Sequence, residues 1–144
     1  MVGPPQKIQW VAGPRRARQH EHLASVSAVV SSAGRLFSIV DAGSTAFAGA
    51  SPRWRLVARD AFNGIVLWKR KIDPWEHHLR GFRSGPTELA RRLVAVGDRV
   101  YVTLGYGQPV SALDAATGET LRTYAATANT MEIIAAGDTL FLTI

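Results

Sequence analysis

The side chains best suited to chemistry in this 144-residue chain stand in small groups. His20-Glu21-His22 and Trp75-Glu76-His77-His78 each set imidazoles beside a carboxylate. Two His two positions apart on an extended segment face the same way, which suits a metal ion, with the carboxylate as a further ligand or as the partner of a ring N–H. Arg15-Arg16-Ala17-Arg18, followed by His20, could form an anion-binding corner, because a guanidinium grips phosphate or carboxylate through two parallel bonds. Trp75, directly after Pro74, could stack on a sugar ring or a quinone. The plainer reading is preferred for each: solvated loop histidines, a linker after Gly13-Pro14, and an indole that anchors its loop by apolar burial. Arg15, Arg16, His20, His22, Trp75, His77 and His78 are therefore candidate ligand-loop residues, and no catalytic or metal site is assigned.

Several function classes find no support. There is no glycine-rich phosphate loop, nucleophile elbow or zinc-protease motif, and Gly105-Tyr106-Gly107 reads as a hairpin bend because no helix follows it. The net charge is +6, unevenly placed: 16 of the 17 Lys and Arg but seven of the 11 acidic residues precede position 100, leaving +9 there and −3 beyond it. No basic run exceeds Lys69-Arg70-Lys71, so the basic half reads as solvated strand ends and nucleic acid is not the expected partner. There is no Cys, which excludes disulfide stapling. No run of about 18 apolar residues offers a membrane-spanning helix. Met1-Val2-Gly3-Pro4-Pro5 lacks the charged and apolar segments of a secretory signal.

What would position any such residues is a repeat. Ala58-Arg59-Asp60-Ala61-Phe62-Asn63-Gly64-Ile65-Val66-Leu67-Trp68 returns 54 residues later as Ala112-Leu113-Asp114-Ala115-Ala116-Thr117-Gly118-Glu119-Thr120-Leu121-Arg122. In each copy the Asp carboxylate can accept from backbone N–H groups two and three residues ahead, and the Gly supplies the positive φ of a tight reversal between two strands. A fainter repeat of strand, turn and strand precedes each copy, at 26–40 and 93–104, and occurs again at 131–144. A full unit is thus four antiparallel strands, and units of that kind every 40 to 55 residues are the signature of β-propeller blades. The stretches 16–32 and 86–96 have helix-compatible composition, yet Val26, Val29, Val30, Val94 and Val96 favour strands, with one helical turn expected at 87–91.

The eleven-residue phrase resembles the tryptophan-docking motif of the pyrroloquinoline-quinone-type (PQQ-like) propeller repeats, Ala-x-Asp-x-x-Thr-Gly-x-x-x-Trp. The first copy matches at Ala58, Asp60, Gly64 and Trp68, with Asn63 in place of Thr; the second matches at Ala112, Asp114, Thr117 and Gly118, with Arg122 in place of Trp. The resemblance spans about residues 24 to 144 and implies that Trp68 sits between neighbouring blades. The family includes quinoprotein dehydrogenases and the non-catalytic outer-membrane protein assembly lipoprotein. It further implies PQQ and calcium in the enzymes; no cofactor is evident here, because Glu21, Asp73, Glu76, Glu88 and Glu132 form no recognisable calcium cluster, and both are expectations for a longer parent only.

The expected fold is all-β, a partial β-propeller of about two and a half four-stranded antiparallel blades. Residues 1–23 form an N-terminal segment containing the outer strand of a preceding blade, 24–72 a blade, 73–87 a long loop, 88–126 a second blade and 127–144 the first half of a third. Because a closed propeller takes at least four blades, the chain reads as a piece of a longer protein, and alone it should be marginally stable or self-associating. The expected function is a binding or scaffolding module that recognises a protein or small molecule through loops 42–53 and 73–88, with the remaining blades of the parent as partners. The alternative is part of a quinoprotein-type oxidoreductase using PQQ and calcium. A periplasmic or envelope location in a bacterium follows from the resemblance alone.

Overall fold

The computed structural model describes residues 7–13, 26–43, 53–73 and 87–144. Ten strands occur among them: β1 (Val26–Ser32), β2 (Arg35–Asp41), β3 (Trp54–Asp60), β4 (Val66–Lys71), β5 (Leu93–Val96), β6 (Arg99–Thr103), β7 (Val110–Asp114), β8 (Thr120–Thr123), β9 (Glu132–Ala136) and β10 (Thr139–Thr143). They form two four-stranded sheets in chain order, β1-β2-β3-β4 and β5-β6-β7-β8, and a two-stranded sheet of β9 and β10, all antiparallel. No α-helix occurs among the described residues. The fold is all-β, a partial propeller.

The helix-compatible stretches resolve as their β-branched content requires. β1 and β5 are strands where described, residues 16–25 and 86 lie outside the described residues, and helical geometry among the described ones is confined to 3₁₀ turns at Thr87–Arg92 and Ala125–Thr127. Tight reversals close the inner hairpins. Ala33 and Gly34 both take positive φ between β1 and β2, and Gly97 and Gly137 do so in the other two.

Alternation along each strand sorts its side chains onto opposite faces. On the first sheet Phe37, Ile39, Leu56 and Ala58 point one way and are buried; on the second Leu93, Val100, Val102 and Leu113 are equally buried, and all eight belong to one cluster. The core therefore lies between the sheets, as expected of stacked units that cannot cover an apolar face alone. Leu89, from the 3₁₀ turn, closes this core with no exposure.

Both outer hairpins contain the same irregularity. Ala58 pairs with Trp68 but Arg59 with Val66, so Leu67 is an extra residue; Ala112 pairs with Arg122 but Leu113 with Thr120, so Leu121 is extra. Each bulge turns its strand so that the residue after it shares a face with the small Ala opposite. Replacing fully buried Leu113 by Ala should cost about 2–5 kcal/mol in urea denaturation. Leu121→Ala, at an exposed bulge, should stay within about 0.5 kcal/mol.

Candidate functional site

The two Asp-to-Gly reversals are built alike, atom for atom. Asp60 Oδ1 accepts from the N–H of Phe62 (2.9 Å) and Asn63 (3.0 Å), and Asp114 Oδ1 from those of Ala116 and Thr117 (both 2.8 Å). The Gly64 N–H donates to the Asp60 carbonyl at 2.9 Å, and Gly118 to Asp114 at 2.8 Å. Asn63 Oδ1 accepts from Ile65 N–H, and Thr117 Oγ1 from Glu119 N–H, so an amide oxygen and a hydroxyl serve the same purpose. Ala61 N–H donates to the Gly34 carbonyl and Ala115 N–H to that of Asp98, which ties each outer reversal to the inner hairpin of its own sheet.

The closed reversal is a receptor for an indole. Gly118, at φ +76°, bares its Cα, and a Cβ there would lie 2.6 Å from Trp68 Cδ2. The Trp68 N–H donates to the Ala115 carbonyl at 3.0 Å across 47 residues. Phe37 backs the ring at 5.8 Å between centroids. Trp10 repeats the arrangement one sheet earlier: its ring lies 2.7 Å from where a Cβ on Gly64 would be, and its N–H donates to the Ala61 carbonyl at 3.0 Å. Only glycine satisfies both demands, positive φ and contact with a flat ring.

A guanidinium completes each lock from a different direction. Arg59 Nη1 reaches the Gly64 carbonyl of its own hairpin at 2.8 Å. The corresponding residue of the second sheet is Leu113, and there Arg70 of the preceding strand β4 donates instead to the Gly118 carbonyl at 2.7 Å and to Thr120 Oγ1 at 3.2 Å. Arg122, which has the register of Trp68, lies over the Tyr124 ring at 5.0 Å. Bonds from the Thr117 and Ala116 N–H groups hold the Asp114 carboxyl below its ordinary value of 3.8.

At the opposite end of the sheets lie the last residues of β2 and β4. β2 and β4 run in the same direction, so the chain leaves the first sheet for residues 42–53 and for 73–86 at the same end. The Ala42 N–H donates to the Arg53 carbonyl and closes the first neck, where Asp41 Oδ1 also accepts from the N–H of Gly43 and Arg53. The Asp73 N–H donates to the Leu104 carbonyl, which brings the 104–109 bend to the same end.

Of the residues singled out in the sequence, Asp60, Asn63, Gly64, Asp114, Thr117 and Gly118 form the two reversals, Ala58 and Ala112 sit in the strands leading into them opposite Trp68 and Arg122, and Trp68 joins the first sheet to the second. Arg15, Arg16, His20, His22, Trp75, His77 and His78 lie outside the described residues. Sequence reasoning gave Trp10 no role and missed Arg70. A signal for Trp10 existed, since it precedes Asp60 by 50 residues where Trp68 precedes Asp114 by 46. Arg70 had none, because its use depends on Leu113 lacking a donor.

A family model described as outer membrane protein assembly factor BamB, of the PQQ type, matches residues 7–144. The chain belongs to that family. No match was found among curated proteins. The BamB-type repeat accounts for the docking phrase and for the stacked sheets alike. Among the described residues no three His, Cys, Asp or Glu side chains converge on a common point, so those residues do not assemble the oxygen cage that calcium would want, and no quinone chemistry is derived from them. No helix among them is long and apolar enough to cross a membrane.

Gly118→Ala should destabilise the chain about as much as Trp68→Ala, roughly 3 kcal/mol by urea denaturation, since both undo the same contact. Gly137→Ala, at positive φ but with nothing within 4 Å, should cost only the backbone term, about 1 kcal/mol. Trp68→Phe removes the N–H donor and part of the ring that covers Gly118, and should cost about 1–3 kcal/mol, less than Trp68→Ala. The lowered Asp114 pKa contributes stability above the unfolded value, lost as pH falls through the folded one. Asp114→Asn keeps the acceptor oxygen, so its stability should depend less on pH than the wild type's below about pH 4 in acid titrations of melting temperature.

Proposed function

We propose that this BamB-type chain is a non-catalytic binding or scaffolding module of the bacterial periplasm or envelope, and that its partner is a protein. The carrying observation is the division of labour between the two ends of the sheets. One end is committed to docking: Trp68 and Arg70 join the first sheet to the second, and Trp10 ties the N-terminal segment to the first. At the other, Ala42 bonds Arg53 across the foot of the first connection and Asp73 bonds Leu104 beside the 104–109 bend. Loops projected from a rigid sheet end are the usual carriers of recognition. The name of the matched family supports an assembly role and an envelope location. On this reading the units expected in the sequence, a blade at 24–72 and another at 88–126, are the platform, and the loops 42–53 and 73–88 are the recognition surface.

A quinoprotein-type oxidoreductase is the competing reading. The chain is incubated with PQQ, Ca²⁺ and a panel of alcohols and aldoses as electron donors, and dye reduction is followed against a control that lacks the chain. The binding reading expects no rate above control; a rate above control that depends on the chain overturns it. In parallel, single cysteines are placed at Tyr106, at the loop end, and at Thr117, at the docking end, in a chain that has no cysteine of its own. Photo-crosslinkers on these cysteines should capture an envelope protein from the first position and not from the second; equal capture at both would overturn the assignment of the loop end.

A further inference from the structure

The two reversals differ at one residue that has covalent chemistry of its own. Asn63 precedes Gly64, where the second reversal has Thr117 and Gly118. The carboxamide carbon of an asparagine can be attacked by the backbone nitrogen of the next residue, and glycine, lacking a Cβ, obstructs that approach least. A new C–N bond closes a succinimide ring, and the side-chain nitrogen leaves as ammonia. Water then opens one ring carbonyl or the other, giving aspartate or, with the main chain routed through the side chain, isoaspartate. Water is the sole co-reactant. Threonine has no such route, and the other asparagine of the chain, Asn129, precedes Thr130.

The closed reversal holds each participant away from this reaction. The Gly64 N–H, whose nitrogen would attack, donates to the Asp60 carbonyl at 2.9 Å. Asn63 Oδ1 accepts from the Ile65 N–H at 2.9 Å, which ties the carboxamide to a different partner. The ring of Trp10 covers Gly64, its N–H holds the Ala61 carbonyl, and Gln9 Nε2 holds that of Phe62. The rotation that brings nitrogen to carboxamide carbon must break these bonds and lift the indole. Asn63 itself is exposed, so water and hydroxide reach it. The products cannot rebuild the seat. An imide nitrogen has no hydrogen for the Asp60 carbonyl, and isoaspartate adds a carbon to the main chain beside the glycine on which Trp10 rests.

We propose that Asn63 is a site of spontaneous deamidation gated by the seat of Trp10. The docked indole protects it, and each opening exposes it to a one-way change that weakens the same contact. The inference is independent of the partner-binding role of the loop end. The full chain is aged in mildly alkaline buffer and digested with trypsin; cleavage after Arg59 and Lys69 releases residues 60–69, in which Asn63 is the only amide side chain. That peptide should gain the mass of an amide-to-acid exchange roughly tenfold or more slowly in the folded chain than as a free synthetic peptide. Rates are corrected for the unfolded fraction of each variant, read from its urea curve. After that correction Trp10→Ala should react several times faster than the wild type, whereas Leu113→Ala, which weakens the core from the second sheet and leaves the Trp10 seat intact, should match it. Asn63→Thr should show no gain. A folded-chain rate equal to that of the free peptide, a Trp10→Ala rate equal to the wild type's, or equal acceleration in Leu113→Ala would each overturn the proposal.

Discussion

An indole laid flat on a glycine is the contact on which the rest of this structure depends. The ring of Trp68 covers the Cα of Gly118, and its one polar atom is satisfied by the carbonyl of Ala115. Buried indole area is large and its N–H demands a partner, so the interaction joins apolar burial to a directional bond. Neither half works without the reversal. The carbonyl points at the indole because the Asp114 carboxylate gathers the N–H groups on the inside of the turn, and the ring can approach because the residue at positive φ has no Cβ. Local turn chemistry, a property of a few consecutive residues, thereby sets the distance between two sheets.

The guanidinium groups show how such a contact tolerates sequence change. In both locks the carbonyl of the turn glycine receives one Arg, from the same hairpin through Arg59 or from the preceding sheet through Arg70. The acceptor is constant and the donor is not. Asn63 and Thr117 vary in the same manner, an amide oxygen replacing a hydroxyl toward the same N–H two residues on. What persists is the hydrogen-bond role, while residue identity is free wherever two side chains can reach one atom.

The parts legible in the sequence were those whose causes are local. Asp60 to Gly64 and Asp114 to Gly118 announce a reversal because the bonds that close it within its own hairpin span at most five residues, and β-branched runs kept 26–32 and 93–96 as strands. The bulges at Leu67 and Leu121 were not readable, because an extra residue is defined only against the partner strand. Trp10 and Arg70 escaped for a related reason: their acceptors lie 51 and 48 residues away, and nothing beside them in the chain marks the role. The basic and imidazole candidates at 15–22 and 75–78 belong to connections whose chemistry no local rule connects to the sheets.

Arg122 lends the array a direction. It has the strand register of Trp68, yet it brings a charged plane resting on Tyr124 where the earlier sheet brings an indole. A bare glycine and one carbonyl suffice to seat Trp68; a guanidinium wants several oxygen acceptors in its plane. The two side chains are therefore not interchangeable: the seat that Gly118 and Ala115 offer fits the flat, singly donating ring of Trp68 and would not satisfy Arg122, so equivalent strand positions in two sheets of the same shape have different chemical demands.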